Sequence, residues 1–383
     1  MKAYLITPMN IKYTYSGTEW HIYEYARYLS EHKIKANIIV TNTRRGIAPA
    51  KSYTMEVEAR YSRIPKITAA CTEVLLPFSY HLFVYRNLPK DSVIYFPYSI
   101  YDHIPNIVSR SDAQRYIIGC HGMHLKNGHI LLEHDTIERT MNSIVKSLFH
   151  LKRSNINSVF FHALNSSQIG YLMRFGVRRR NIFLIPPMVK FSQYRQGGKD
   201  PKRFKVIHIG GAGKGIDITI ELVEHLISKG WMERFEFHFI GVEQPERLRE
   251  IAKMHKEVKT HGPIGDEEKK SLLASADAIL IPAYEVFPKI ALEGLASNLR
   301  ILTSRKNGAA IDIAKKGIDI TVVREGRADE YINPLINLAT QKRRNKEKFY
   351  SISRKNYEIA RREFDEKNIL PRILQMFKVV GLD

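Results

Sequence analysis

Two carboxylates, Glu285 and Glu293, stand eight residues apart on either side of a change in sequence pattern. Ala278 to Ile281 is a short apolar run of strand type, and helix formers begin at Lys289, with Pro288 suited to a first helical position. The run predicts a buried strand, a turn carrying Glu285, and a helix with Glu293 about two turns in. A helix amino terminus at that place offers free backbone N–H groups and the positive end of a dipole to a phosphate. Glu293 can accept from a pair of sugar hydroxyls. Taken alone, the same pair also reads as a solvated loop carboxylate and an exposed helix carboxylate.

A second stretch suits a phosphate as well. Phe204 to Ile209 is an apolar run that leads into Gly210-Gly211-Ala212-Gly213-Lys214-Gly215, and a helical pattern to Lys229 follows, with Ile218, Leu222 and Leu226 in register. Strand, glycine-rich turn and helix form a cradle in which glycines remove Cβ obstruction and Lys214 supplies a mobile positive charge. Two common fingerprints fail there. A P-loop needs Ser or Thr after Lys214 and a glycine at 208, where His stands, and a dinucleotide motif begun at Gly211 has Ile216 at its third glycine. A third point of interest is His121, at the end of the strand pattern Tyr116 to Cys120, where it reads as a hydrogen-bond donor facing a ligand. His124 lies three residues on, but no third ligand has metal-site spacing.

These residues need elements to hold them, and the chain has the length for two domains. Strand patterns at Ala3 to Thr7, Ala36 to Thr41, Ser92 to Phe96, Val159 to Leu164 and Ile182 to Ile185 alternate with helical patterns at Thr18 to His32 and Ile130 to Leu151. Ser16-Gly17-Thr18-Glu19 has capping-box spacing, and Gly17 lets the backbone approach a ligand closely. Alternation of this kind predicts an α/β protein with doubly wound, Rossmann-like sheets. Gln193 to Arg203, with Gly197-Gly198 and mixed charge, has linker composition. The division is therefore 1–193, a linker 194–203, a second domain 204–360, and a terminal helix 361–383 in which Pro371 starts the last helical stretch. Cys71 and Cys120 cannot make a disulfide framework and read as buried thiols. The chain has no run of membrane-spanning length, which places it in the cytoplasm.

The string Pro282-x-x-Glu285-x-Phe287-Pro288-x-x-x-Leu292-Glu293-x-x-Ala296 resembles the Glu-x7-Glu signature of retaining glycosyltransferases with the GT-B fold, in particular glycosyltransferase family 4. The resemblance runs through nearly the whole chain in order and is strongest from Phe204 to Thr303. It implies two Rossmann-like domains facing a cleft, with a C-terminal helix crossing back to the first. It also implies transfer of a hexose from a nucleotide diphosphate sugar with retention, and no bound metal or other cofactor. By the same resemblance Glu293 holds the ribose, Glu285 and His121 hold the donor sugar, and Gly17 faces the acceptor and the donor phosphate. Gly213, Lys214 and the amides from Phe287 to Lys289 bind the diphosphate. Where the family has a clamp arginine, this chain has Gly211, and the glycine loop is shorter.

The chain carries 60 Lys and Arg against 39 Asp and Glu, a net +21, which calls for an anionic partner or surface. Basic residues concentrate at Arg178-Arg179-Arg180, at Lys342-Arg343-Arg344 and around Arg361-Arg362. A lipid-linked or other glycan acceptor at the inner face of a membrane fits that charge, with the enzyme peripheral there. A solvated basic face explains it equally. A basic nucleic-acid-binding protein is the alternative from another class, against which stands the lack of a recognised binding motif or of basic residues interleaved with aromatics. Within the same fold, a sugar epimerase or an inactive binding module remains as an alternative.

Overall fold

The computed structural model describes residues 1–7, 17–40, 59–61, 92–97, 115–121, 125–126, 129–130, 159–174, 176–195, 203–241 and 245–382. They form two compact units, Met1–Pro186 with Ile369–Asp383, and Pro187–Asn368. The second unit begins before the linker pattern because Val189 forms a parallel bridge to Asp365, and the Glu366 N–H donates to the Val189 carbonyl at 3.1 Å. Most of the linker pattern, Cys71, His124 and most of the helical pattern from Ile130 to Leu151 lie outside the described residues.

In the first unit the strands are β1 (Lys2–Thr7), β2 (Lys35–Val40), β3 (Ala59–Tyr61), β4 (Ser92–Phe96), β5 (Arg115–Gly119), β8 (Phe160–Ala163) and β9 (Ile182–Leu184). A small hairpin, β6 (Leu125–Lys126) with β7 (His129–Ile130), is separate. The large sheet has the order β3-β2-β1-β4-β5-β8-β9 with every pairing parallel. Helix α1 (Gly17–Glu31) connects β1 to β2 and buries Ile22, Ala26 and Leu29, the face its periodicity marks. Helix α2 (Ser166–Arg174) follows β8. The order turns back between β1 and β4, which makes their carboxyl ends a topological switch point.

The second unit repeats the plan. Strands β10 (Phe204–Ile209), β11 (Phe235–Ile240), β12 (Val258–His261), β13 (Ala278–Ile281), β14 (Arg300–Ser304) and β15 (Thr321–Val323) form a parallel sheet of order β12-β11-β10-β13-β14-β15. Around it run α3 (Ile216–Ser228), α4 (Glu246–Met254), α5 (Asp266–Ser275), α6 (Lys289–Ala296), α7 (Ala310–Lys315), α8 (Ala328–Arg344) and α9 (Lys346–Phe364). Phe235, Phe237 and Phe239 alternate along β11 into a core shared with Leu222 of α3 and Tyr331 of α8. Strand β13 is buried at all four residues, as a central strand covered on both faces must be.

Two features of the basic tail differ from the sequence pattern. Helix α10 (Glu366–Leu382) starts five residues before Pro371, so that proline lies inside the helix instead of opening it. The break comes earlier, at Asp365, whose extended backbone ends α9. From Ile369 the helix belongs to the first unit: Arg115 donates to the Val380 carbonyl at 3.1 Å, and Phe377 packs on Tyr95 with ring centroids 6.0 Å apart. Lys342, read as one of a basic cluster, is buried. Its ammonium donates to Asp277 at 2.7 Å and to the Arg203 carbonyl at 2.9 Å, while Asp277 also accepts from Tyr350 and from the Lys205 N–H. Arg343 and Arg344 remain exposed.

Candidate functional site

The switch point of the second sheet lies between β10 and β13, the two strands whose sequels carry the glycine loop and Glu285. Adjacent parallel strands end side by side, so the two loops meet although about 70 residues separate them in sequence. The Lys214 ammonium lies 3.1 Å from Glu285 Oε2. Two glycines have conformational reasons to be there. Gly215, the residue before α3, has φ +74°, and a Cβ on it would stand 2.8 Å from Pro282 Cγ in the loop after β13. Gly210 has φ +115°, and its Cβ would collide with the Lys214 side chain. Gly213 is different: it is exposed, and a Cβ there would meet nothing within 4 Å. The steric demand that the sequence suggests for Gly213 therefore falls on its neighbours at 210 and 215.

Glu285 has a side chain only 15% exposed, and its backbone carbonyl accepts from the Gly308 N–H at 2.8 Å. Phe287 is buried and packs edge-to-face on Phe364 of α9, with ring centroids 5.8 Å apart, which anchors the turn before α6. Pro288 is the cap residue and Lys289 the first residue of the helix. Gly294 lets α6 lie close on the sheet, because a Cβ there would stand 2.9 Å from Ile279 Cγ2 and 3.1 Å from Ile301 Cδ1. That close approach buries Glu293, whose side chain is 5% exposed. Neither carboxylate is the solvated group that the sequence also allowed.

Glu293 is held by two lysines, one of which sequence reasoning missed. Lys269 of α5 straddles the carboxylate, 3.2 Å from Oε1 and 3.1 Å from Oε2, and is also 3.1 Å from Asp266. Lys289 lies 3.7 Å from Oε1, one helical turn away. Burial works against the charge on Lys269, but Glu293 and Asp266 outweigh it and its pKa is raised. For Lys289 burial prevails over the attraction of Glu293, and its pKa is lowered. A turn of sequence predicts the Lys289 pair. Nothing local predicts Lys269, which comes from another helix 24 residues away.

In the first unit His121 follows β5, and β5 lies between β4 and β8. Those neighbours supply its partners. His121 Nε2 is 2.9 Å from the Tyr95 hydroxyl, the same hydroxyl is 2.8 Å from His162 Nδ1, and His162 Nε2 is 2.8 Å from the Ile185 carbonyl. Gly119 makes room for this chain, since a Cβ there would stand 2.7 Å from the Tyr95 hydroxyl and 2.9 Å from His121 Cδ2. Burial, then the neighbouring His162 and His21 rings, hold His121 well below the ordinary histidine pKa. Burial likewise pulls His162 down to about 4. Gly17 is the first residue of α1; the connection to it from β1 lies outside the described residues. Arg178, Arg179 and Arg180 are exposed, and Arg179 also donates to the Ile182 carbonyl at 2.7 Å.

Among the described residues no helix is long and apolar enough to cross a membrane, and no group of three His, Cys, Asp or Glu residues could hold a metal ion. No curated protein matches the sequence. Residues 190–356 match the model of the family Glycosyl transferases group 1. Solved structures share the fold at low identity. Sucrose-phosphate synthase from Thermosynechococcus elongatus superposes with a TM-score of 0.73 at 11% identity, over 100% of this chain and 99% of that one. WaaG, a glycosyltransferase involved in lipopolysaccharide biosynthesis, gives 0.65 at 14% identity over 99% of both chains. Anabaena HepE, solved in complex with UDP and glucose, gives the same values. Residues 190–356 of this chain thus match a group 1 glycosyl transferase domain, the whole chain has the GT-B fold, and together the two findings support a glycosyltransferase.

Proposed function

We propose that the protein transfers a hexose from a nucleotide diphosphate sugar, with retention of anomeric configuration, to a lipid-linked or other glycan acceptor. The observation that carries this reading is the meeting of Lys214 with Glu285 at the switch point of the second sheet, followed by the buried Glu293 one turn into the helix that begins at Lys289. A loop cation, a helix amino terminus and two acidic acceptors are the groups that a diphosphate bearing a ribose on one side and a hexose on the other requires. In the proposed reaction the bond from the anomeric carbon to the diphosphate oxygen breaks and the acceptor oxygen takes its place on the same face. The hydroxyl proton leaves with the released diphosphate, so no protein base is assigned.

Lys214, Lys289 and the amides of Phe287 to Lys289 offset the charge that grows on the departing diphosphate, in place of a metal ion. Glu293 accepts from the ribose, Glu285 from the hexose, and His121 meets a sugar hydroxyl. Gly17 and Gly213 contribute backbone approach to phosphate. The solved complex of HepE with UDP and glucose supports a sugar nucleotide as the donor class.

The test is thermal unfolding with a panel of nucleotide sugars, because a bound donor raises stability by about 2.7 kcal/mol at one hundred times its dissociation constant. One member of the panel should raise the melting temperature, and Glu293→Gln should abolish most of the rise. A panel without effect on the folded protein overturns the reading. The excess of basic residues, with Arg178, Arg179 and Arg180 exposed together, supports a peripheral position at the inner face of a membrane. Co-sedimentation with vesicles of rising anionic lipid content tests that position: a protein that stays in the supernatant at low salt has a soluble acceptor instead.

A further inference from the structure

The hydrogen-bond chain under His121 has only one consistent direction. The Ile185 carbonyl can only accept, so the proton of His162 is on Nε2. His162 is neutral near pH 7, because burial puts its pKa at about 4, and its Nδ1 is therefore a bare acceptor. The single Tyr95 hydroxyl proton must go to that Nδ1, 2.8 Å away. The Tyr95 oxygen then has only lone pairs to offer His121, so His121 Nε2 carries a proton and donates it at 2.9 Å. Since burial also keeps His121 neutral, its other nitrogen, Nδ1, has none.

We propose that Tyr95 and His162 are positioning residues that lock His121 in its Nε2–H tautomer, so that Nδ1 accepts a hydrogen bond from a hydroxyl of the sugar substrate. This rests on the reading that His121 meets a sugar hydroxyl, and it reverses the donor role that a histidine at a strand end first suggests. Three adjacent strands define the relay: Tyr95 comes from β4, His121 from the end of β5, and His162 from β8. Gly119, in the last position of β5, is the residue whose missing Cβ lets the Tyr95 hydroxyl and the His121 ring come together. Among the described residues Tyr95 is the hydrogen-bond partner of the His121 ring, and His121 as a residue is half-buried. An acceptor at this point distinguishes a hydroxyl from a hydrogen or a fluorine, because neither of those can donate.

The locked tautomer gives a readout that a merely structural tyrosine would not move. In the full-length protein with 15N-labelled histidine, His121 is assigned by the signal that His121→Asn removes. Between about pH 6 and pH 8 its ring should show a protonated Nε2 and an unprotonated Nδ1, with no titration in that window. Tyr95→Phe deletes one oxygen and should release the ring into a mixture of tautomers. His162→Asn, whose side-chain oxygen keeps an acceptor near the place of Nδ1, should preserve the lock and serves as the second variant if Tyr95→Phe fails to fold. A proton on Nδ1 in the parent, or a titration inside the window, overturns the proposal, as does a ring in Tyr95→Phe that remains wholly Nε2–H.

Addition of UDP-glucose, the probe, tests the ligand half separately. The Nδ1 resonance should shift as it accepts a hydrogen bond while the Nε2 proton stays in place. Binding that leaves Nδ1 unmoved refutes the sugar contact. If UDP-glucose does not bind, the donor reading fails for that sugar nucleotide, whereas the tautomer measured without ligand still upholds or overturns the lock.

Discussion

Changing Glu293 to glutamine separates its two possible duties, holding a ribose and neutralising lysines. The substitution keeps shape and hydrogen-bonding reach but removes the charge. Lys269 straddles the carboxylate at 3.1 and 3.2 Å, and Lys289 adds a looser contact at 3.7 Å. Two carboxylate oxygens provide about four acceptor sites, so capacity is left for a pair of hydroxyls. Removing one partner of a fully buried ion pair costs about 3–5 kcal/mol. Here the cost should be smaller, about 1–2 kcal/mol, because the Lys269 and Lys289 side chains are 22% and 27% exposed and Lys269 keeps Asp266 at 3.1 Å. Binding should suffer more in proportion: a lost hydrogen bond to a charged acceptor is worth about 1.5–3 kcal/mol, or roughly 10- to 150-fold in dissociation constant. The assay is titration calorimetry with the nucleotide sugar that raises the melting temperature, beside thermal unfolding without ligand. Lys269→Met is the control, since it loosens Glu293 and leaves the carboxylate available. A variant that melts lower but binds the donor as tightly as the parent would make Glu293 a structural counter-ion and refute the ribose contact.

The other predictions read stability and turnover. Asp277→Ala should destabilise the second unit by about 3–5 kcal/mol, because it removes the carboxylate that balances the buried Lys342 ammonium, and Lys342→Met should recover part of that loss in the double variant; chemical denaturation measures both. Lys214→Ala should lower kcat more than it raises KM if the lysine acts mainly on the leaving diphosphate, and unchanged steady-state kinetics would leave the loop with a structural role only. Acid should weaken both units. His162 in the first unit and His208 in the second are each brought to about 4 by burial, below the ordinary histidine value. Below pH 6.5 the unfolded chain takes up protons that the folded rings refuse, so stability declines from there until the folded rings protonate near pH 4, by up to about 3 kcal/mol for each ring. Melting temperatures across that range check the sign, and His162→Phe should reduce the decline of the first unit, where His121 still contributes, and leave that of the second unchanged.

What the sequence made legible follows the range of the interactions involved. Strand and helix patterns depend on neighbours within a turn or two, and Ser92 to Phe96 and Phe204 to Ile209 lie where their patterns place them. The loop from Ala278 to Glu293 was equally readable, since strand, turn and helix all announce themselves locally. Burial of Glu293 was not readable, because it depends on Gly294 bringing α6 down onto Ile279 and Ile301 of two separate strands. An isolated glycine in a helix costs about 1 kcal/mol against alanine, and a cost of that kind at the residue after a candidate site carboxylate is itself a signal of close packing.

The partners of His121 were hidden for a related reason. Tyr95, His121 and His162 are scattered through 68 residues of chain and meet only because β4, β5 and β8 pair side by side in the sheet. Once that pairing is known, each of them lies on a strand or directly after one, and the direction of the proton chain follows from the one carbonyl at its end. Sequence pattern therefore reaches the loops that bind, while the groups that tune those loops come from the topology. A substitution such as Gly119→Ala tests that division: it leaves every named site side chain in place, yet its Cβ would stand 2.7 Å from the Tyr95 hydroxyl and 2.9 Å from His121 Cδ2. It should therefore unlock His121 as Tyr95→Phe does. Unaltered imidazole resonances in a folded Gly119→Ala protein would show that the close approach of β5 to Tyr95 is not what holds the ring.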